Sequence, residues 1–373
     1  MPIFWIMLVC TGMGALAFGY VDKRGIRGIK NRYNQTKVLI ILTFATMIFF
    51  ASMRSVVSDT AAYTRLYQRI PSSLVNLPSF VKEQTKDPIF WGTAMIFKCV
   101  VSENYHVWFF CITMICCILI ACTLAHYSVM PFLSAFMFML TCNFTWLFNG
   151  MRQFLAACIL FYAVRYIVEE RFSKYLILCL IASSMHVTAF IGIPVYFIAK
   201  GKAGNKKVIF SILGMIAVIG GLSYLLPAAN EILRGSSYET VVSQFSEDDG
   251  VNVIRLLISA VPVILFFVFC RDMPEEKIPK HINVAVNMSV LTALMNLLGH
   301  FTSGIYIGRM TIYFEMNALF LYPWIFKTAF SEKNRKLIMV AYLIFFFAFY
   351  YYQMVITWEG FGYVSDVLNI RFR

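Results

Sequence analysis

The chain has 373 residues, of which 60% are hydrophobic, 17% aromatic and only 14% charged, with a formal net charge of +13. Soluble domains carry roughly a quarter charged residues, so this composition, with a mean hydropathy of +0.72, excludes an ordinary soluble fold. The Lys and Arg residues sit mostly in short loops between apolar runs, where they set membrane orientation. The positive charge is therefore not read as a nucleic-acid footprint.

In chain order, "MPIFWIMLVCTGMGALAFGY" lacks a basic n-region and reads as a retained span, with Gly12, Gly14 and Gly19 allowing close helix packing. Further apolar runs fall at about 38–54, 105–125, 131–148, 152–169, 208–226, 251–270, 283–300, 310–330 and 338–356. "VDKRGIRGIKNRYNQTK" holds six Lys/Arg and one acid, which makes that loop cytoplasmic and the N-terminus external. "KGKAGNKK" and "SEKNRK" are basic and read as internal, while "SSYETVVSQFSEDDG" has acids and no Lys or Arg and reads as external.

Residues 175–199 strain this scheme, because one crossing there would place the basic 200–207 loop outside. Two short half-spans turning near "SSMH" remove the conflict. Broken helices persist in bilayers only where protein or a watery cavity surrounds the freed backbone, so a polar cavity is expected near His186. "PIFWGTAMIFKCVV" is short and carries Lys98, and reads as an interfacial helix. The expected fold is all-α: one polytopic integral membrane bundle over 1–373, with about ten full spans plus the half-span pair. Residues 55–104 form its outer-face loop and 227–250 an outer acidic loop.

Ionisable groups at membrane depth are costly unless paired or hydrated, which makes them functional candidates. On this topology four polar points meet on the outer face. The first is "FFASMRSVVSDTAAYTRLYQRI", where Arg54 and Asp59 end a span and Asp59, Tyr63 and Tyr67 share a helical face at i, i+4 spacing. Lipid-headgroup snorkelling is the alternative for its arginines. The second is "WLFNGMRQFLAACIL", whose Asn149, Arg152 and Gln153 form an i, i+3, i+4 cluster. Arg152 suits an oxyanion through its planar fork of donors, although a polar clamp between helices has the same pattern. His186, with Ser183, Ser184 and Thr188 nearby, is either a satisfied core histidine or a base. Arg309 opens the 310–330 run with Tyr313 and Glu315 close by, and an interfacial anchor is its alternative. His106, His126 and His281 receive no role.

No phosphate loop, dinucleotide fingerprint or HExxH helix occurs, and the ten cysteines lack CxxC or Cys/His metal spacing. A nucleotide-driven pump and a metal-dependent transferase of soluble type are disfavoured, and neither a metal nor another cofactor is expected. The cysteines read as small packing residues.

"ASMRSVVSDTAAYTRLYQRI", "NGMRQFLAACILFYAVRYIVEERFSKYLILCLIASSMHVTAFIGIPVYFI" and "IGRMTIYFEM" together resemble the EpsG family. That family shows an Arg before a Gly-Thr-like turn and Asp, an Asn-x-x-Arg-Gln helix start, an Ala-Ser-x-x-His turn and a late Arg-x-x-x-Tyr-Phe helix. The usual Gly-Thr reads Val57-Ser58 here. The resemblance implies a Wzy-type polymerase that joins undecaprenyl-diphosphate-linked oligosaccharide repeat units into O-antigen, capsule or exopolysaccharide, on the outer face of a bacterial inner membrane. It marks His186 and Asp59 as the catalytic pair, either of them the base. Arg152, Arg309 and Arg54 become diphosphate ligands, and Tyr63 and Gln153 sugar contacts. Its partners are lipid-linked donor and acceptor, membrane lipids and a chain-length regulator, with no nucleic acid. A lipid-linked glycan ligase or other membrane glycosyltransferase is the alternative, and a flippase or transporter a more distant one.

Overall fold

The computed structural model describes residues 2–25, 31–233, 250–357 and 361–372. Five helices are long and apolar enough to cross a membrane: α1 (Pro2–Arg24), α7 (Tyr105–Tyr127), α9 (Met151–Val168), α15 (Lys280–Phe301) and Glu332–Thr357, whose α-helical part is α17 (Glu332–Tyr351). A sixth candidate is the pair α2 (Arg32–Thr43) and α3 (Ala45–Met53), bent by 47°. Thr43 donates its hydroxyl to the Leu39 carbonyl at 2.9 Å, a back-bond that bends helices.

The remaining helices are shorter. They are α4 (Thr60–Arg69), α5 (Leu77–Glu83), α6 (Pro88–Val100), α8 (Pro131–Leu140), α10 (Phe172–Met185), α11 (Gly192–Ala199), α12 (Lys206–Gly220), α13 (Leu222–Leu233), α14 (Val253–Phe269) and α16 (Ala318–Ala329). Two expected spans thus consist partly of 3-10 helix. The 131–148 run continues from α8 into Asn143–Leu147, and the 310–330 run begins as Gly308–Tyr313 and Glu315–Asn317 before α16. Of the expected acidic loop at 227–250, residues 234–249 lie outside the described residues.

Burial ranks the helices. The apolar windows of α15 and α9 are 72% and 67% buried, against 28% for α1 and 22% for Glu332–Thr357. The first two form the centre of the bundle. The outer two keep apolar faces such as Leu16 and Ile344 exposed, as lipid-facing helices do.

Contacts between distant residues define two ends. At one end the Glu170 carboxylate pairs with Lys200 at 2.8 Å and Lys280 at 3.2 Å, and Tyr127 stacks on His281 at 5.0 Å. The two lysines hold the Glu170 carboxyl below its ordinary range. At the other end Tyr350 donates to the Phe4 carbonyl at 2.9 Å, and Tyr363 to that of Phe50 at 2.8 Å. The segment from α10 to α11 doubles back between them. Phe172 at its start meets Phe197 near its finish at 5.0 Å, and Tyr175 donates to the Gly192 carbonyl at 3.1 Å. The turn falls at His186, within the "SSMH" stretch where the sequence places it. The basic 200–207 loop and the Glu170 loop consequently share an end.

One feature departs from an all-α reading. Tyr363–Ser365 (β1) and Ile370–Phe372 (β2) form an antiparallel ribbon in the register Tyr363 to Phe372. Val364 extends the pairing to the chain just after α3, with Ser55 N donating to its carbonyl at 2.7 Å. Asn369 turns the ribbon at φ 52°, a conformation that Asn tolerates better than most residues.

Candidate functional site

The site is built around the first turn of α9. Gly150 precedes that helix at φ 81°, a left-handed conformation that suits a residue without Cβ. Its N–H is one of the donors a helix start leaves without an intrahelical partner, and the Asp59 carboxylate accepts it at 3.0 Å. Asp59 itself follows Ser58 at φ 45°, so the chain is still sharply turned one residue after Val57, which stands where the family has its turn glycine. One carboxylate oxygen is thereby committed to holding α9 in place.

Arg54 braces the same turn from inside. It is 1% exposed. Its Nε donates to Thr60 Oγ1 at 3.0 Å, an Nη1 N–H to the Ala51 carbonyl, and Nη2 to Met151 Sδ at 3.5 Å. Its guanidinium lies over Phe109 at 4.3 Å and Phe148 at 5.2 Å. Buried this deeply, with three of its five N–H donors directed to the protein, Arg54 braces the turn before α9 from the interior and lies away from the diphosphate contact that the resemblance implies.

Arg152 points away from Arg54 and pairs through Nη1 with Asp87 at 2.8 Å. Its Nε lies 3.4 Å from the Tyr63 hydroxyl. Tyr63 and Trp91 stack at 6.2 Å, and the guanidinium lies 5.9 Å and 5.7 Å from the two ring centres. Asp87 was not anticipated. It immediately precedes Pro88, and "KDPIF" reads as a plain helix start, which hid it. Here it adopts φ 50° and uses both oxygens, one for Arg152 and the other, at 3.1 Å, for the N–H of Val187. An unmade N–H in an apolar setting costs several kcal/mol, so Asp87 both stabilises the hairpin turn and neutralises Arg152.

The α4–α6 layer has its own brace. Buried Lys98 donates to the carbonyls of Tyr67, Gln68 and Ile70 at 3.3, 3.0 and 2.7 Å, satisfying the C-terminal end of α4. The expected interfacial lysine is thus an internal cap.

At the hairpin turn His186 is extended, with φ −155° and ψ 121°. Its Nδ1 lies 2.8 Å from Thr188 Oγ1, which lies 2.7 Å from the Tyr313 hydroxyl. Gln153, only 5% exposed, donates to the Arg309 carbonyl at 3.4 Å. The Arg309 side chain turns the other way and donates to Asn149 Oδ1 at 3.3 Å. Asn149 lies before α9 and reaches Arg309 through the turn, instead of sharing the face of Arg152 as the spacing suggested. Close packing fixes this strand of chain, since a Cβ on Gly299 would stand 3.0 Å from Gly308 N.

Beyond Arg309 lies a half-open cavity of about 270 Å³ between α14, α15, α17 and the 143–149 turn. Its walls include Arg255, Arg309, Glu315, Trp146, Asn143 and Asn296. The Arg255 guanidinium lies 5.7 Å from the Trp146 ring centre, and Trp146 donates to Glu315 Oε1 at 2.8 Å. Among the described residues no carboxylate pairs with Arg255 or Arg309.

The structure therefore brings together Asp59, Tyr63, Arg152, Gln153, His186 and Arg309 at one end of the bundle, with Arg54 behind them. Asp87, Tyr313 and Arg255 join them. Arg255 sits near a helix start, where a basic residue reads as an interfacial anchor.

Fold and site together define a polytopic helical membrane protein with a cluster of arginine, carboxylate, imidazole and phenol at one end. The chain belongs to the EpsG family, whose model matches residues 37–364. Membership implies a role in exopolysaccharide biosynthesis. No curated protein and no solved structure matches the chain.

Proposed function

We propose that this protein polymerises undecaprenyl-diphosphate-linked oligosaccharide repeat units on the outer face of a bacterial inner membrane. The chain would cross that membrane about ten times, with the α10–α11 hairpin as a pair of half-spans. In the reaction a hydroxyl of one lipid-linked unit attacks the anomeric carbon of another. The new glycosidic C–O bond forms as the bond to the diphosphate breaks, undecaprenyl diphosphate leaves, and the hydroxyl proton passes to a base.

The observation that carries this reading is the meeting of His186 with two differently employed arginines at one end of the bundle. With Nδ1 donating to Thr188, the imidazole presents Nε2 as an acceptor for the proton. Asp59 is the alternative base through its uncommitted oxygen. Arg309 faces the cavity and meets the diphosphate, whose charge grows in the transition state, so a guanidinium there lowers the barrier. Arg152 orients the reacting sugars with the donors Asp87 leaves free, and Tyr63 and Gln153 complete the sugar-facing wall.

Incubation of the purified protein with a defined diphospholipid-linked repeat unit tests the proposal. A ladder of products of increasing length supports it. Transfer of a single unit to a different acceptor, with no ladder, would point to the ligase reading.

A further inference from the structure

The two arginines of the site differ in charge balance. Arg152 is compensated by Asp87 at 2.8 Å. Arg309 and Arg255 line one cavity without a carboxylate partner among the described residues. Glu315, the acid in that wall, accepts from the neutral Trp146 indole and keeps its charge. Among the described residues the cavity wall thus sets two guanidiniums against one carboxylate, a net positive charge, while the Arg152 pocket is close to neutral. An anion is favoured in the first and a hydroxyl-bearing neutral group in the second.

A second observation points to a ligand in the same cavity. Asn296 and Asn143 are 1% and 5% exposed, both line the cavity, and the Oδ1 atom of each lacks a hydrogen-bond partner among the described residues. Buried polar atoms are almost always paired, and sugar hydroxyls supply the donors that these two oxygens need. The Trp146 ring adds a flat apolar face of the kind against which a pyranose packs.

From this we infer that the cavity between α14 and α15 is the donor subsite. Arg255 and Arg309 grip the diphosphate, and Asn143, Asn296 and Trp146 hold the first sugar. The acceptor hydroxyl then enters from the Arg152–His186 side, with Arg309 on the wall between the two. Arg255 becomes a diphosphate ligand. The inference rests on the polymerase reading above and specifies which substrate occupies which compartment.

Native mass spectrometry of the full-length protein with undecaprenyl diphosphate in detergent micelles tests it. Arg255→Gln should lower the affinity at least about tenfold, since it removes charge-assisted hydrogen bonds to the diphosphate. Arg255→Lys should fall between, and Arg165→Gln, at the opposite end of the bundle, should bind as wild type. Asn296→Asp, which adds a negative charge to the cavity without adding bulk, should weaken binding independently. Wild-type affinity in both Arg255→Gln and Asn296→Asp would overturn the donor-subsite assignment and leave the polymerase reading standing. Displacement of the diphosphate by an equal concentration of phosphatidylglycerol would make the cavity a general headgroup site and also overturn it. Failure of the wild-type protein to bind undecaprenyl diphosphate would remove the polymerase reading itself.

Discussion

Arg152 and Asp87, 65 residues apart in sequence, are joined by an ion pair of 2.8 Å in which the carboxylate side chain is 4% exposed and the guanidinium 21%. The same carboxylate holds the N–H of Val187 beside His186. One acid therefore connects the start of α9 to the hairpin turn, and charge, helix position and base geometry are coupled through it.

Breaking that connection should be costly. Removing one partner of a buried pair costs roughly 3–5 kcal/mol, and the partial exposure of Arg152 places Asp87→Ala near the lower bound. The double variant Asp87→Ala/Arg152→Ala should recover part of that loss, because no charge is left uncompensated, yet remain inactive. Thermal unfolding in detergent, paired with the product ladder, measures both.

Arg152→Lys keeps the charge and discards the fork. A single ammonium cannot reproduce an Nη1 bond to Asp87 while presenting Nε to Tyr63 and further donors to a sugar. Polymer yield at matched protein level should drop at least about tenfold. Wild-type yield would show that point charge alone is sufficient at this position.

His186→Gln removes the base while keeping a hydrogen-bonding side chain. Loss of a general base costs typically about 10²–10⁴ in rate, and affinity for the lipid-linked unit should change little. A variant with full turnover would transfer the base role to Asp59.

Arg54→Met tests the distinction between bracing and binding. Its guanidinium is enclosed by Phe109, Phe148, Thr60 and Met151, so the expected loss is in unfolding temperature and expressed amount. Affinity of the folded fraction for undecaprenyl diphosphate should remain within about threefold, since the charge never reaches the cavity. A large affinity loss at unchanged stability would return Arg54 to the ligand set.

Much of this site is legible in the sequence, for a physical reason. A His or Arg within an apolar run is costly unless it meets a cavity or a partner, so Arg152, His186 and Arg309 stand out by type and place. The break at His186 is one of two ways to satisfy charge parity, the other being a span at 88–101, and the shortness of that run together with Lys98 favours the break. The ion pair of Glu170 with Lys200 places the 200–207 loop beside Glu170. Other features depend on tertiary neighbours. Whether Arg54 faces a lumen or the interior is decided by Phe109 and Phe148, which lie far along the chain. Asp87 carries the local signature of a helix start, and only the approach of α9 and the hairpin turn gives it a second role. The 3-10 segment Gly308–Tyr313 likewise begins where Gly308 crosses close over Gly299, a contact that no local propensity reports.

Polymerisation at the outer face requires the arginine–histidine cluster to open on that side of the membrane. In a protein whose native cysteines have been replaced, Val187→Cys places an exposed thiol beside His186, and Lys202→Cys places one at the opposite end of the bundle. A membrane-impermeant thiol reagent applied to spheroplasts should modify the first at once and the second only after permeabilisation. The reverse pattern would put the arginine–histidine cluster on the cytoplasmic side and contradict polymerisation at the outer face.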